Sequence, residues 1–170
     1  MLRSLVGSEM CIRDRWNKYK MIYAKYVEFY HKDLFKNPLA KEAKDYLKNR
    51  NLTIEEVKKF KIGYVSNDEN FKEEIFKEFT ESEIKETGLF YFDENKKKYV
   101  DRFRDRVIFP INNISGDPIA LGGRILKDSK YLAKYINSPE TPFFKKGNNL
   151  YNLDFTRKLS NNINLSLIHI

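Results

Sequence analysis

Apolar residues follow two different periods along the chain. In the first part they recur every three or four positions, which is typical of amphipathic helices. The longest such stretch predicts a helix over residues 16–36, whose apolar face is Tyr19, Ile22, Tyr23, Tyr26, Val27 and Tyr30. After a break at Pro38, the pattern predicts a second helix over about 39–49. A third is expected to begin at Thr53, because Thr53 and Glu56 have the spacing of a capping box.

The later part of the chain predicts a small sheet. Two short helices are expected between residues 70 and 86, the second opened by Thr80 or Ser82 and ended near Gly88. The apolar period then changes to two, which indicates strands. The expected strands are 62–65, a hairpin of 89–92 with 99–100, then 107–111 and 118–121. We therefore predict an α+β fold, in which N-terminal helices are followed by a mixed, mainly antiparallel small sheet in one domain.

The two ends of the chain differ from the rest. Residues 5–15 and 166–170 resemble translated sequencing-adapter read-through, and neither stretch continues the neighbouring apolar period. The alternative is that both are ordinary frayed termini. We expect residues 1–15 to be a non-native leader, 16–164 the domain, and 165–170 a non-native tail that packs against nothing.

The net charge adds a candidate partner. The 170 residues include 32 Lys and Arg against 24 Asp and Glu, a formal charge of +8. Such a balance suits a polyanion, most commonly nucleic acid. The alternative is compositional drift in a lysine-rich proteome, and composition alone leaves both open. A single cysteine excludes an internal disulfide and a cysteine-rich zinc site. The sequence also lacks the roughly 18-residue apolar run that a membrane-spanning helix needs.

The segment 101–111 is the first candidate for chemistry. If it is extended, Arg102, Arg104 and Arg106 lie on one face, roughly 6 to 7 Å apart, a spacing suited to successive phosphates. The alternative is a solvated strand face that Asp101 and Asp105 neutralise.

Two further segments carry weaker signals. Gly122–Arg124, directly after an expected strand, permits either a close backbone approach by a ligand or a plain turn. The irregular segment 134–141, with the following 144–147, combines lysines, an aromatic ring and an amide, which suit phosphate contact and base stacking. The alternative is a polar loop with Tyr135 packed down. No acidic cluster follows an apolar strand, so we predict neither a catalytic nor a metal-binding residue in this chain.

Several motifs occur together in a recognisable order. They are Phe29–Tyr30, Tyr46–Leu52, Phe60–Tyr64, Asp101–Ile111, Gly122–Arg124, Lys134–Thr141, Phe144–Gly147 and Leu150–Tyr151. In order and spacing they resemble the polymerase core of bacterial DnaG-type DNA primases, over about residues 16–158. Two positions depart from that family's pattern. Asn51 replaces a glycine, although asparagine tolerates a left-handed backbone, and Ile114 stands where many relatives carry a basic residue.

The resemblance implies a role for this half of the core, which is to hold single-stranded template DNA. It implies template contacts at Arg50, Arg102, Arg104, Arg124 and Asn137. It implies contacts on the nucleotide side at Lys134, Tyr135 and Lys146. The family's Mg²⁺ ligands lie in a Toprim half, and its zinc lies in a separate domain, so neither ion is expected to bind here.

The resemblance also implies the activity of the whole protein, a bacterial cytoplasmic enzyme that copies DNA into short RNA primers. Its partners would be single-stranded DNA, ribonucleoside triphosphates and, through another domain, the replicative helicase. These 170 residues alone are expected to be inactive, because the Toprim half is missing. The alternative is a stand-alone single-stranded DNA-binding accessory protein of replication with a primase-like domain.

Overall fold

A computed structural model describes residues 3–66, 70–127 and 131–159. Six α-helices occur in these ranges: α1 Arg3–Lys36, α2 Lys41–Asn49, α3 Ile54–Lys59, α4 Asn70–Glu78, α5 Glu81–Thr87 and α6 Leu153–Leu159. The strands are β1 Gly63–Val65, β2 Phe90–Asp93, β3 Lys98–Asp101, β4 Arg106–Asn112, β5 Pro118–Ile125 and β6 Tyr135–Asn137. Short 3₁₀ turns occupy Pro38–Ala40 and Lys146–Asn148.

The strands form two sheets. Four of them have the order β1-β4-β5-β6, and β2 pairs with β3 in a separate hairpin. Each of these pairs is antiparallel. The α+β prediction is therefore confirmed. Strand β5 is four residues longer than predicted, because it pairs with β4 on one side and with β6 on the other.

Helix α1 packs its apolar face across the main sheet. The predicted stripe is buried, and Ile22, Tyr23 and Tyr26 have no exposed surface. Among the described parts of the chain, no helix is long and apolar enough to span a membrane.

The N-terminal boundary differs in part from the sequence analysis. Helix α1 begins at Arg3 rather than at residue 16. Arg15 forms an ion pair with Glu86, with Nη2 and Oε1 separated by 2.7 Å, so contact with the domain begins at least one residue earlier than expected. The non-native origin of residues 1–15 stays a prediction, and residues 165–170 lie outside the described residues.

The predicted caps are present. Thr53 and Thr80 each accept a hydrogen bond from the backbone three residues on, and the glutamate there bonds back to complete the capping box. Helix α5 ends at Gly88, which has a left-handed φ of 68°. Asn51 also has a positive φ, 58°, so the turn expected at the position of the missing glycine is formed.

Candidate nucleic-acid interface

Two arginines and two tyrosines from distant parts of the sequence meet beside β6. The guanidinium carbon of Arg124 lies 4.0 Å from the ring centroid of Tyr46 and 5.9 Å from that of Tyr135. The guanidinium carbon of Arg50 lies 5.6 Å from the same Tyr46 ring. We call Tyr46, Arg50, Arg124 and Tyr135 the arginine–tyrosine cluster. Guanidinium groups and aromatic rings bind phosphates and stack on unpaired bases.

Secondary structure holds the cluster in place. Tyr46 and Arg50 are four residues apart at the C-terminal end of α2, so their side chains share one face of the helix. Arg124 lies on β5 directly opposite Tyr135 on β6, which makes them cross-strand neighbours. The cluster therefore joins a helix end to the last strand of the sheet.

The cluster has one nearly buried member, Arg124, and one exposed member, Tyr135. Arg124 is 9% exposed, whereas Tyr135 is 61% exposed. Among the described residues, Nε of Arg124 has no hydrogen-bond partner, and its Nη1 donates only a long bond of 3.4 Å to the carbonyl of Ile125. A partly desolvated guanidinium with spare donors favours an anion, because charge-assisted hydrogen bonds strengthen where water is excluded.

The segment predicted to be irregular is partly a strand. Residues Tyr135–Asn137 form β6, so that part of the prediction is wrong. Asn137 pairs with Gly122, and its Oδ1 lies 3.3 Å from where a Cβ on that glycine would stand. The carbonyl of Lys134 accepts from Ile125 N at 3.0 Å, and its side chain is exposed. The exposure of Tyr135 also overturns the alternative in which that ring is packed down.

The prediction that Arg102, Arg104 and Arg106 form a row on one face of an extended strand is wrong. Residues 102–105 form turns, and Asp105 has a φ of 58°. The backbone N–H of Asp105 donates to the carbonyl of Val65 at 2.8 Å. Arg106 is buried and donates from Nη1 to the carbonyl of Lys134 at 3.3 Å. This bond holds the residue directly before β6. Only Arg102 and Arg104 remain as candidates, on what we call the arginine turn, Asp101–Asp105.

Arg102 connects the arginine turn to the segment after β6. Its Nε donates to the carbonyl of Gly88 at 2.8 Å. A Cβ placed on Gly88 would stand 2.4 Å from Cγ of Pro139, so these two residues are in close contact. The candidate site residues thus form a continuous arrangement, from Arg50 and Arg124 along β6 to Pro139 and Arg102.

Gly122 and Gly123 were expected directly after a strand, but they lie within β5. A Cβ on Gly123 would stand 2.6 Å from Cδ1 of Phe103, which is fully buried. The close approach at Gly123 is therefore made by the protein's own core, since the ring that anchors the arginine turn fills the space.

Lys146 is the first residue of the 3₁₀ turn that follows the β6 segment in the chain. Its side chain is exposed, and its N–H donates to Oε1 of Glu140 at 3.1 Å. The neighbouring Lys145 also pairs with Glu140, at 3.7 Å. This acidic residue partly offsets the positive charge at that end of the site.

Tyr46 is the member of the cluster that the sequence analysis did not select. Its only local signal is its place four residues before Arg50. The decisive contact, with Arg124, joins positions 78 residues apart, which no short motif displays.

The carboxyl group of Asp101 provides a pH test of the arginine turn. Burial raises its pKa from 3.8 to about 6, against the opposing effects of hydrogen bonds from Tyr26, Phe103 N and Tyr30 and of the Arg104 charge. Since the folded protein binds this proton more tightly than the unfolded chain, the contribution to stability is present below about pH 4 and is lost as pH rises to about 6.

We therefore expect wild type, relative to Asp101→Asn, to lose about 2 kcal/mol of unfolding free energy between pH 4 and pH 7. Urea unfolding of both proteins across this range measures the difference, in which the titrations of all other carboxylates cancel. A constant difference between the two proteins would contradict the burial of this carboxylate.

The described residues do not fit a metal ion, since no group of three or more His, Cys, Asp or Glu among them could hold one. The expected positions of the Mg²⁺ and zinc ligands stay predictions.

Comparisons with known proteins agree on one family. Residues 29–157 match the model of the DNA primase catalytic core, N-terminal domain. The chain is 41% identical over 156 residues to DNA primase of Clostridium acetobutylicum, and 36% identical over 143 residues to that of Enterococcus faecalis. These matches cover 89% and 81% of this chain but only 25% and 23% of the relatives, so the chain spans about a quarter of their length.

Solved structures give the same result. A DnaG primase catalytic domain bound to single-stranded DNA has a TM-score of 0.78 at 30% identity, covering 89% of this chain and 47% of that one. The RNA polymerase domain of Mycobacterium tuberculosis DnaG, in complex with a double-stranded DNA oligomer with an overhang, has a TM-score of 0.74 at 27% identity, covering 81% and 43%. The chain therefore belongs to the DNA primase catalytic core family, and the part that matches is the N-terminal domain of that core.

Proposed function

We propose that this chain holds single-stranded template DNA for the RNA-polymerase core of a bacterial primase. The observation that carries this proposal is the arginine–tyrosine cluster, which continues along the exposed β6 to the arginine turn. The backbone of the DNA strand would contact Arg50, Arg102, Arg104 and Arg124, and Asn137 would lie beside it. Lys134, Tyr135 and Lys146 would face the incoming nucleotides.

The site combines the two requirements of single-strand binding. Arginines neutralise phosphates, and an exposed ring accepts a stacked base without regard to its identity. The family relationship supports the same assignment, since one similar DnaG catalytic domain has been solved with single-stranded DNA. The curated relatives are DNA primases, which does not favour the alternative of a separate accessory protein.

The activity of the whole protein follows as part of the proposal. A primase containing this domain would join ribonucleoside triphosphates into short RNA primers in the bacterial cytoplasm and would act beside a replicative helicase. Phosphoryl transfer of this kind uses Mg²⁺ held by carboxylates, which we place outside this chain. This chain would position the template strand and neutralise its phosphates, and the Mg²⁺ ligands would come from elsewhere in the enzyme.

A salt series tests the template role. Arg102→Ala and Arg104→Ala should each weaken binding of a fluorescently labelled oligonucleotide, measured by anisotropy, with little dependence on base sequence. Each lost phosphate contact should flatten the slope of log K against log salt by about 0.7. Lys58→Ala, which removes the same charge from the exposed face of α3, is the matched control and should leave the slope unchanged. Equal effects at all three positions would mean that net charge alone drives binding.

Polymerase activity gives a separate test. We expect purified residues 1–170 to form no template-dependent dinucleotide from ribonucleotides and Mg²⁺, because the described residues offer no carboxylate group for two metals. The assay is extension with radiolabelled nucleotide, and a full-length relative serves as positive control. Dinucleotide synthesis by the pure 170-residue protein would overturn the division of labour proposed here.

A further inference from the structure

Four tyrosines of α1 form a buried stripe with unusual partners. Tyr19, Tyr23, Tyr26 and Tyr30 are each no more than 2% exposed, and their spacing of four, three and four residues places them on one face of the helix. Phenylalanine would bury a similar volume without a polar group to satisfy. We call the four residues the tyrosine ladder. The hydroxyls of Tyr23, Tyr26 and Tyr30 bond segments that carry or adjoin candidate DNA-contact residues, and that of Tyr19 bonds the turn that precedes Lys146.

At one end, the ladder holds the arginine turn. The hydroxyl of Tyr26 donates to both carboxylate oxygens of Asp101, at 2.7 and 2.9 Å, and that of Tyr30 reaches Oδ2 at 3.3 Å. Oδ1 of Asp101 in turn accepts from the backbone N–H of Phe103 at 2.7 Å. The backbone between Arg102 and Arg104 is thereby tied to α1 through a single carboxylate.

In the middle, the ladder holds the β6 segment. The hydroxyl of Tyr23 donates to the carbonyl of Thr87 at 2.9 Å and lies 3.1 Å from Oγ of Ser138. That serine oxygen also accepts from Leu121 N at 2.9 Å, so its own proton is available for Tyr23. Ser138 follows the DNA-contact candidate Asn137, and Thr87 precedes Gly88, whose carbonyl binds Arg102.

Tyr19, the first tyrosine of the ladder in the chain, bonds the turn that leads to Lys146. The hydroxyl of Tyr19 donates to the carbonyl of Ile119 at 2.8 Å and lies 3.0 Å from Oγ1 of Thr141. That threonine oxygen accepts from Phe144 N at 3.0 Å. Burial raises the pKa of Tyr23 and Tyr26 well above the ordinary value, so these hydroxyls remain protonated donors throughout the physiological range.

We propose that the tyrosine ladder positions the DNA-contact residues, so that its hydroxyls set the affinity for single-stranded DNA although none of them touches DNA. This inference rests on the proposed template function. The ladder tyrosines are positioning residues, and their hydroxyls act by fixing the segments on which Arg102, Arg104 and Asn137 lie.

The test removes hydroxyls and nothing else. Tyr26→Phe combined with Tyr30→Phe should weaken binding of a labelled deoxythymidine oligonucleotide about tenfold, and should flatten its salt slope by about 0.7. Tyr64→Phe is the matched control, because Tyr64 is a largely buried tyrosine of β1 outside the ladder, and it should leave affinity and slope unchanged. If the double variant unfolds at the assay temperature, Tyr30→Phe alone, which removes the longest of these bonds, gives the same comparison with a smaller effect.

A double-mutant cycle separates positioning from a loss of stability. In the Tyr26→Phe, Tyr30→Phe background, Arg104→Ala should have much less effect on affinity than in wild type, since that contact is already displaced. Arg50→Ala should keep its full effect, because Arg50 lies on α2, which the ladder does not hold.

The outcomes distinguish this inference from the function on which it rests. Unchanged DNA affinity in the tyrosine variants, or full additivity with Arg104→Ala, would overturn the positioning role while leaving the template role intact. If Arg104→Ala and Lys58→Ala behave alike in wild type, both proposals fail together.

Discussion

Arg124→Ala is expected to weaken binding of single-stranded DNA about thirtyfold, the largest loss for any single charge on the site. The guanidinium is nearly buried against Tyr46 and Tyr135, where a hydrogen bond to phosphate is less weakened by water than on the surface. A hydrogen bond to a charged group contributes about 1.5 to 3 kcal/mol, and loss of the stacked guanidinium also frees the Tyr135 ring. Anisotropy of a labelled oligonucleotide at fixed salt measures the change.

Two variants sharpen this prediction. Arg124→Lys keeps the charge but loses the planar fork and the stacking, so its affinity should fall between those of wild type and Arg124→Ala. Arg13→Ala removes an equal charge from an exposed position on α1 and should weaken binding less than twofold. If Arg13→Ala matched Arg124→Ala, the arginine–tyrosine cluster would have no special role.

Gly63→Ala is expected to lower the free energy of unfolding by about 3 kcal/mol. A Cβ at this position in β1 would stand 2.9 Å from the backbone carbon of Tyr30 and 3.0 Å from the backbone nitrogen of His31. Rotation of a side chain cannot relieve contacts with backbone, so α1 must move away from the sheet. Chemical unfolding followed by circular dichroism measures the loss.

Gly147→Ala is the matched control for this substitution. Apart from its own chain neighbours, no heavy atom of the described residues lies within 4 Å of the Cβ it would introduce, so a change under about 0.5 kcal/mol is expected. A small effect at Gly63 as well would mean that α1 does not approach β1 as closely as 2.9 Å to that Cβ requires.

Local signals predicted much of the fold. The capping boxes at Thr53 and Thr80 depend on residues three apart, and the tyrosine stripe depends on helical period, so both are visible in a short window of sequence. The length of β5 was underestimated because Gly122 and Gly123 disfavour a strand locally. Pairing with β4 and β6 outweighs that preference, and the ring of Phe103 occupies the space beside Gly123.

The site was only partly predictable, because contacts between distant segments again outweigh local sequence signals. Alternation of side chains placed Arg106 beside Arg102 and Arg104, but the left-handed Asp105 and its bond to Val65 turn the backbone and direct Arg106 into the protein. Tyr46 was missed because its partner Arg124 comes from a different element. The candidate residues follow from the resemblance to primases, and the structure shows which of those residues are neighbours.

DNA is proposed to lie along β6 and the arginine turn, and chemical-shift mapping tests this placement most directly. Titration of ¹⁵N-labelled protein with a short deoxythymidine oligonucleotide should shift the backbone amides of residues 102–104, Arg124 and 134–137. The amides of 54–59 on α3, which carries Lys58 and Lys59 on its exposed face, should not move. Shifts centred on α3, or spread evenly over every lysine-bearing surface, would contradict a specific template site.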